Sequence, residues 1–478
     1  MMKDPTMTTT RLLKSAQVLL GDPRLRDVRQ VDLLISDGVI TAIGPDIDTD
    51  APVEDVSWAW IIPGLVDTHQ HLWQATMRAL TSDFAGDDYF WIVRRNHAAR
   101  HTAEDVYNGT FGGAVSLLDA GTTCAIDYSH CNLTPDHADA GIRGFIDSGL
   151  RGVWSYGYYH QPTEDNYFTS PQMMYDDSRR IRSTYLPAST GRVSFGVSPT
   201  EMVRAPFDQI RDEFLMGREL DALVNPHSNT RFRPGYPSDI KQWHEAGLLW
   251  KKQLHVHCNA SDAEDLQLLA DSGAAVCSTP ETELGMGMGY MVLRAADRLG
   301  IPCGIGADIQ SNNGPDLFTA MRVALGSERG RYHQPIIESG GTSAIGEIAL
   351  RTEDVLHYAT LGGATALGLE DVCGSIEEGK AADLVLIRRD SPRLHPVVDP
   401  VAAIAMHVTL GDIDTVMVAG ETVKENGRLR EDLRRRAVDA LETSGDRIAK
   451  AVADHGGWRP ARPEWVGTPE EHSHTHRN

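Results

Sequence analysis

Short apolar runs that end in polar residues recur through the middle of the chain, and segments with helical periodicity separate them. Apolar runs of this length, each followed by an amphipathic segment, indicate parallel strands joined by helices. Eight repeats of strand and helix predict an α/β fold of the (β/α)8 TIM-barrel type. The eight runs are IIPGLVDTHQH (61–71), TTCAIDYSH (122–130), RGVWSYGYY (151–159), VSFGVSPTE (193–201), ALVNPHSN (222–229), QLHVHCN (253–259), AAVCSTPE (274–281) and PCGIGADI (302–309).

The two ends of the chain have a different pattern, in which short β-type runs lie between Gly, Pro and Asp. We expect residues 11–60 and 372–430 to form one small β-sandwich domain beside a barrel of residues 61–371. Residues 431–478 are expected to form an amphipathic helix and a mobile tail rich in histidine. The Asp-Gly pair in ISDGVI predicts a hairpin. The β-type runs are SAQVLL, QVDLLISDGVITAIG, VSWAWIIPG, KAADLVLI, VAAIAMHV and VMVAGETVKENGRL.

Charge and composition restrict the classes of partner. The 478 residues include 45 Lys+Arg and 67 Asp+Glu, which gives a net charge of −22. A surface this acidic repels nucleic acids and anionic membranes, so the expected partner is a neutral or cationic small molecule. The six cysteines form no CxxC pair, the N-terminus lacks the pattern of a signal peptide, and no stretch is apolar enough to span a bilayer. These features favour a cytoplasmic enzyme.

The ends of the predicted barrel strands collect residues that bind metals. His69 and His71 end the first strand, His227 ends the fifth, and Asp308 ends the eighth. Active sites of TIM barrels lie at the C-terminal ends of the strands, and residues two apart on a strand point to the same face. Three histidines and one carboxylate suit a divalent ion. We therefore predict one metal ion, Zn²⁺, with Fe²⁺, Mn²⁺ or Co²⁺ as alternatives.

A second histidine pair lies in LHVHC, on the sixth strand. His257 is at the end of that strand, beside the predicted metal rather than among its ligands. We expect it to polarise the substrate or to transfer a proton. His255 lies one layer deeper, and we expect it to be a packed, hydrogen-bonded core histidine.

Four motifs resemble the amidohydrolase superfamily, and the likeness extends from about residue 11 to about residue 430. The branch they resemble contains cytosine, guanine and S-adenosylhomocysteine deaminases and the triazine hydrolases. Its members are often dimers or larger, so the resemblance implies a homo-oligomer. The motifs are IIPGLVDTHQHLWQATMR, HVHCNASDAEDLQLLADSGAAVCSTPETELGMGMG, GIGADIQSNNGPDLFTAMRVA and GSIEEGKAADLVLI.

The resemblance implies a role for each residue at the strand ends. His69, His71, His227 and Asp308 would hold one divalent ion, whose bound hydroxide attacks a ring carbon and releases ammonia or another small group. Asp308 would accept the proton of the attacking water, and His257 would hydrogen-bond the substrate or that water.

The sequence departs from this branch at two places. The deaminases usually carry a glutamate three residues after the fifth-strand histidine, where this chain has Thr230, and they often read Pro-x-Ser-Asn on the seventh strand. Here the seventh strand is followed by PETE, with Glu283 at the place of the asparagine. As a hypothesis, Glu283 supplies the missing catalytic carboxylate, or Glu281 does. Alternatively, Glu281 or Glu283 would bind an amino-rich or cationic substrate.

Further residues are candidates for contact with the substrate. Gln74 matches a position that often meets the substrate, and Trp73 would either stack on a planar ring or pack in the barrel wall. Thr230 and Asn312, after the fifth and eighth strands, complete the set with Glu281. Alternatively, Asn312 would only shape its turn, and Glu281 would only cap the next helix or face water. The leading prediction is a metal-dependent aminohydrolase of a nitrogen heterocycle. The alternatives are a hydrolase of an amide, carbamate, urea or halide on the same scaffold, and a non-catalytic assembly protein, which the complete ligand set disfavours.

Overall fold

The computed structural model of the protein describes residues 10–159, 166–187, 191–232, 235–342 and 348–461. The predicted histidine-rich tail lies outside these ranges. Among the described residues, no helix has the length and apolar character needed to cross a membrane.

The N-terminal segment is built from five strands. The antiparallel pair β2 and β3 forms the predicted hairpin, and its two turn residues, Asp37 and Gly38, have φ values of 49° and 81°. Two positive φ values are what a two-residue turn of type I′ requires, and this turn matches the right-handed twist of the strands. The hairpin prediction is therefore confirmed. The strands are β1 (Thr10–Leu19), β2 (Val28–Ser36), β3 (Val39–Gly44), β4 (Val53–Asp55) and β5 (Ala59–Pro63).

The middle of the chain forms a closed barrel of eight parallel strands, as predicted. Its fifth strand is interrupted at residues 225–226 and consists of the two short pieces β10 and β11. Parallel bridges from Val224 to Gln253 and from Gln70 to Asp308 join the two barrel sheets into one ring. The strands are β6 (Leu65–Gln70), β7 (Thr122–Ser129), β8 (Arg151–Gly157), β9 (Val193–Ser198), β10 (Leu223–Val224), β11 (His227–Ser228), β12 (Leu254–His257), β13 (Ala275–Ser278) and β14 (Cys303–Ile305).

The seam between the last and first barrel strands brings three candidate ligands into register. Asp308 N donates to His69 O and His71 N donates to Asp308 O, each at 2.9 Å. The strands approach closely here because Gly306 has no side chain: a Cβ atom at this position would lie 2.8 Å from His69 N. Backbone hydrogen bonding therefore fixes His69, His71 and Asp308 relative to one another.

The C-terminal strands join the N-terminal strands in one sheet of nine strands. The order is β18-β17-β16-β15-β5-β1-β2-β3, and β4 pairs with β1. Both ends of the chain thus combine as expected. The strands are hydrogen-bonded as a single sheet, so the sandwich arrangement and the exact domain boundaries stay predictions. The remaining strands are β15 (Leu384–Arg388), β16 (Ile413–Val418), β17 (Glu421–Glu425) and β18 (Arg428–Leu429).

One predicted strand of the C-terminal segment is wrong. VAAIAMHV forms the helix Pro400–His407 instead. Ala and Met are good helix formers, Pro400 occupies the first helical turn, and the side chain of Asp399 accepts a hydrogen bond from Ala402 N as the N-cap. These local signals outweigh the continuous apolar run, which is compatible with either structure.

Helices connect the barrel strands, and a long helix follows the sheet. The predicted amphipathic helix is present as the last one, α14. The α-helices are α1 (Gly86–Tyr89), α2 (Ala103–Asp119), α3 (Pro135–Ser148), α4 (Pro171–Tyr185), α5 (Phe207–Glu219), α6 (Asp239–Glu245), α7 (Ala263–Ser272), α8 (Pro280–Gly285), α9 (Leu293–Arg298), α10 (Leu317–Glu338), α11 (Thr352–Tyr358), α12 (Leu361–Leu367), α13 (Pro400–His407) and α14 (Glu431–Ala453). Short 3₁₀ helices span Pro23–Leu25, Leu72–Met77, Ala98–Arg100, Pro392–Leu394 and Leu410–Asp412, and a π-helix spans Phe90–His97.

Candidate active site

Three histidines and one aspartate meet at the C-terminal end of the barrel. His69 and His71 come from the end of β6 and its following turn, His227 from β11, and Asp308 from the turn after β14. Asp308 Oδ1 lies 3.4 Å from His69 Nε2 and 3.6 Å from His71 Nε2. His69 Nε2 and His227 Nε2 are 3.3 Å apart. The four predicted ligands are therefore one buried cluster.

The chemistry of this cluster fits a divalent cation. His71 Nδ1 donates to Tyr128 O at 2.9 Å, and His227 Nδ1 lies 3.2 Å from Glu201 Oε1, so Nε2 of each ring presents a lone pair to the cluster. Burial lowers the pKa of His227 to about 4, which leaves the ring neutral at pH 7. Lone pairs that converge in a buried site repel one another unless a cation lies between them. Carboxylate and carbonyl partners behind the rings are typical of histidine ligands of zinc.

Asp308 is held ionised in an unusual backbone conformation. Burial opposes its ionisation, but the hydrogen bond from His69 and the surrounding histidines hold the pKa of Asp308 well below its usual range. Its φ is 64°, and His257 has φ 75°. Left-handed conformations are costly for residues other than glycine and cluster at functional sites. Here the two hydrogen bonds of the barrel seam hold Asp308 in place.

His257 is paired with a buried glutamate. Its Nδ1 lies 3.2 Å from Glu283 Oε1 and 3.2 Å from Thr279 Oγ1. Glu283 is 0% exposed and also accepts from Thr279 N at 2.8 Å, while Thr279 Oγ1 donates to Asp308 at 3.4 Å. Because Nδ1 is engaged, Nε2 of His257 remains available to the cavity.

His255 is a core residue, as predicted. Its Nδ1 lies 2.9 Å from Ser228 Oγ and its Nε2 lies 3.3 Å from Gln253 Oε1. Burial lowers its pKa to about 3, and the ring packs beside Trp243. The two histidine pairs of the sequence therefore differ: both members of the first point into the metal cluster, and one member of the second is structural.

A cavity opens over the cluster, and His71, His227, His257 and Asp308 are among the residues that line it. Its lining mixes apolar and aromatic residues with charged ones, and the guanidinium group of Arg204 lies over the ring of Phe90 at 3.8 Å. Such a lining suits a small molecule that has both apolar and polar groups. The apolar and aromatic residues include Tyr89, Phe90, Met202, Met286, Met288 and Ile309, and the polar ones include Arg94, Glu201, Arg204, Arg231, Asp239 and Thr230.

Comparison with known proteins establishes the family. The family model described as the amidohydrolase family matches residues 60–423. The chain is a member of the amidohydrolase family. A 5-methylthioadenosine/S-adenosylhomocysteine deaminase of Symbiobacterium thermophilum is 31% identical over 384 residues, which cover 78% of this chain and 83% of that protein.

Solved structures share the fold of this amidohydrolase. An adenosine deaminase from Xanthomonas campestris with bound zinc superposes with a TM-score of 0.80 at 22% identity, over 92% of this chain and 98% of that one. An atrazine chlorohydrolase from Arthrobacter aurescens, crystallised with zinc and atraton, gives 0.78 at 22% identity, over 91% and 100%. These matches confirm the barrel architecture.

Two of the predicted substrate contacts lie behind the cavity wall of the amidohydrolase. Trp73 is fully buried and donates to His130 Nδ1 at 2.9 Å. Gln74 is also fully buried; it donates to Tyr89 OH at 2.7 Å and accepts from Ser311 Oγ at 2.8 Å. Gln74 thus reaches the cavity through Tyr89, while Trp73 packs behind the metal ligands.

The other candidates divide between the cavity and its surroundings. Thr230 lines the cavity, as expected for a residue after the fifth strand. Asn312 donates to Asn313 at 3.0 Å within the turn after the eighth strand. Glu283 contacts His257 and not the cavity, so it is a positioning residue for that histidine. Glu281 lies on the first turn of α8, outside the cavity lining.

Sequence reasoning missed five charged residues of the cavity lining, namely Arg94, Glu201, Arg204, Arg231 and Asp239. Glu201 ends the fourth barrel strand, in the run VSFGVSPTE, so the argument that located the histidines applies equally to it. Arg94 lies in the π-helix 90–97 between the first and second strands, where no sequence signal separates it from the exposed Arg95 beside it.

Replacing Glu281 with glutamine is expected to stabilise this amidohydrolase at pH 8 and not at pH 4. Burial and the charge of Asp316 raise the pKa of Glu281 to about 7. The folded protein therefore binds this proton more tightly than the unfolded chain does. The contribution of the protonated carboxyl to the free energy of unfolding is lost as pH rises from about 4.5 to about 7. Because glutamine does not ionise, we expect Glu281→Gln to exceed the wild type in free energy of unfolding by about 1–3 kcal/mol at pH 8.

The measurement is urea unfolding of both proteins at the two pH values. Equal stability gains at pH 4 and pH 8 would contradict a titrating carboxyl at this position.

Proposed function

We propose that this amidohydrolase is a zinc-dependent aminohydrolase that releases ammonia from an amino-substituted nitrogen heterocycle of the purine type. The observation that carries the proposal is the buried cluster of three histidines and Asp308, which faces a cavity lined by apolar, aromatic and charged side chains. The choice of ammonia as the leaving group rests on the relatives, because the 31% identical protein is named as a deaminase of adenosine derivatives.

The ligand set of this proposal is His69, His71, His227 and Asp308. These residues would hold a divalent ion, which would lower the pKa of a bound water toward neutrality. Tyr128 O and Glu201 fix the tautomers of His71 and His227. The side chains around this cluster carry out the proton transfers of the reaction.

Hydrolytic deamination adds water to the ring carbon and breaks its bond to the amino nitrogen, which leaves as ammonia. Ionised Asp308 accepts the proton of the attacking water on a carboxylate oxygen. Protonation of the departing amine requires a second group, and Thr230 has no acidic proton to offer at neutral pH. His257 Nε2 faces the cavity, and the buried carboxylate of Glu283 orients the ring through Nδ1. We assign to His257 the transfer of the proton from Asp308 to the departing amine, so that the proton taken from water leaves with ammonia.

Ammonia release from a panel of heterocycles tests the proposal. Zinc-loaded protein is incubated with adenosine, 5-methylthioadenosine, S-adenosylhomocysteine, guanine, cytosine and an amino-triazine. We expect ammonia from at least one ring, and none from the variant Asp308→Asn. If the metal-loaded protein released no ammonia from any compound of the panel, the deaminase proposal would be contradicted.

Thr230 favours one alternative. A halide leaves a ring as an anion and needs no proton, so a site without the usual glutamate remains competent for dehalogenation. If the protein released chloride from a chloro-triazine and no ammonia from the amino-substituted rings, the proposed activity would be that of a halide hydrolase and not of a deaminase.

A further inference from the structure

One buried threonine beside the cluster directs its hydroxyl group at the site instead of at its own helix. Thr279 is 1% exposed and is the N-cap residue of α8. A threonine at this position usually accepts a hydrogen bond from the first turn of the helix, but the side chain of Thr279 makes no such bond. Its hydroxyl group contacts Asp308 and His257 instead, which are 29 and 22 positions away in the sequence.

The ionised state of Asp308 fixes the direction of these hydrogen bonds. A carboxylate can only accept, so Thr279 donates its single hydroxyl hydrogen to Asp308 Oδ2, at 3.4 Å. Thr279 Oγ1 then offers only lone pairs to His257 Nδ1, which lies 3.2 Å away. His257 Nδ1 therefore carries the hydrogen of the neutral ring and shares it between Thr279 Oγ1 and Glu283 Oε1.

The same contact distinguishes the two carboxylate oxygens of Asp308. Oδ1 lies 3.4 Å from His69 Nε2 and 3.6 Å from His71 Nε2, on the side of the proposed metal ligands. Oδ2 is the oxygen that accepts the hydrogen bond from Thr279. The last torsion of an aspartate side chain has broad minima, so a hydrogen bond to one oxygen selects the orientation of the whole carboxylate.

The first turn of α8 joins Thr279 to the glutamate behind His257. Thr279 N donates to Glu283 Oε1 at 2.8 Å, and Glu283 N donates to Thr279 O at 2.9 Å. The main chain of Thr279 thus contacts Glu283 while its side chain contacts Asp308 and His257. One residue therefore fixes the relative position of the three side chains to which the proposed proton transfers are assigned.

We infer that Thr279 is a positioning residue that orients the carboxylate of Asp308, with Oδ1 toward the metal ligands and Oδ2 toward His257. The oxygen that would bind the ion is then distinct from the oxygen that accepts the proton of the attacking water. The inference rests on the proposed function for its ligand set, and it adds a residue that acts only through Asp308 and His257.

The zinc affinity of matched variants tests the inference without turnover. Thr279→Val keeps the shape of the side chain but lacks the hydroxyl group, whereas Thr279→Ser keeps the hydroxyl group. Replacing a residue that orients a metal ligand lowers metal affinity or activity about 10- to 100-fold. In competition with a chelator, we expect zinc binding about 10- to 100-fold weaker in Thr279→Val, and close to that of the wild type in Thr279→Ser.

Thr360 provides the matched control, because it is a fully buried threonine at the N-cap of α12 whose side chain also makes no capping bond. Its hydroxyl group donates to Leu356 O at 2.6 Å, outside the cavity lining. Thr360→Val should keep the zinc affinity of the wild type even if its free energy of unfolding falls. If Thr279→Val does not fold, Thr279→Ala gives the same comparison without adding volume.

Three results would overturn the inference. The first is unchanged zinc affinity in the variant that lacks the Thr279 hydroxyl group. The second is an equal loss of affinity in Thr279→Ser or in Thr360→Val, which would show that affinity follows general stability. The third is a wild-type protein that binds no zinc.

The two proposals fail in different ways. Ammonia release from the wild type together with full zinc affinity in Thr279→Val would overturn the role of Thr279 and leave the deaminase standing. Zinc affinity that depends on the Thr279 hydroxyl group, with no ammonia from any amino-heterocycle, would overturn the deaminase and support the role of Thr279.

Discussion

Replacing His227 with alanine is expected to remove the bound metal and to lower turnover about 10³-fold or more. His227 comes from the opposite side of the barrel to His69 and Asp308, and it supplies one of the four proposed ligand atoms. A bound divalent ion would provide several kcal/mol of transition-state stabilisation, and each 1.36 kcal/mol corresponds to a tenfold rate change. The measurements are the zinc content of purified protein and the rate of ammonia release at saturating substrate.

His255 offers a matched control for this variant. It is equally buried and lies two residues from His257, but both of its ring nitrogens bond within the core. His255→Gln should therefore keep one equivalent of metal even if it lowers thermal stability. Full zinc content in His227→Ala, or loss of zinc in a folded His255→Gln, would show that the ligand set is assigned incorrectly.

Replacing Glu283 with glutamine is expected to lower kcat about 10²- to 10⁴-fold while the metal stays bound, the range associated with loss of a proton-transfer group. Glutamine keeps the volume of the side chain but places no negative charge beside His257. The pH profile of kcat should therefore differ between the two proteins, a change that a merely structural defect would not produce.

Glu281 is the control for Glu283, because it lies two residues earlier on the same helix and outside the cavity lining. Glu281→Gln should retain kcat and its pH profile. Equal losses in the two variants would indicate that α8 as a whole, rather than the contact between Glu283 and His257, supports turnover. Unchanged kcat in Glu283→Gln would remove the pair from the mechanism.

Sequence reasoning located the barrel because its signal is local. Each strand is a short apolar run with a polar end, and the order of the runs fixes which ends are neighbours. His69, His71, His227 and Asp308 could be grouped on that basis alone. The same argument extends to Glu201, which was overlooked because a single glutamate at a strand end is common.

Residues whose position depends on helical or loop packing could not be predicted in this way. The sequence placed Glu281 and Glu283 on equal terms, and only the start of α8 at Pro280 directs Glu283 toward His257. Trp73 follows the ligand pair by two residues, yet the 3₁₀ turn 72–77 directs it into the core beside His130. Arg94 enters the cavity from a segment that belongs to no barrel strand.

The seam at which Asp308 pairs with His69 and His71 has a consequence for the order of events during synthesis. The two histidines leave the ribosome long before the aspartate, and their relative geometry depends on a hydrogen bond from its backbone. A nascent or truncated chain that ends before the eighth strand therefore has at most three of the four ligands and lacks the only carboxylate among them. With the proposed ligand set, tight binding of a divalent ion would follow closure of the barrel, and the metal content of a preparation would report the fraction of chains that have completed it.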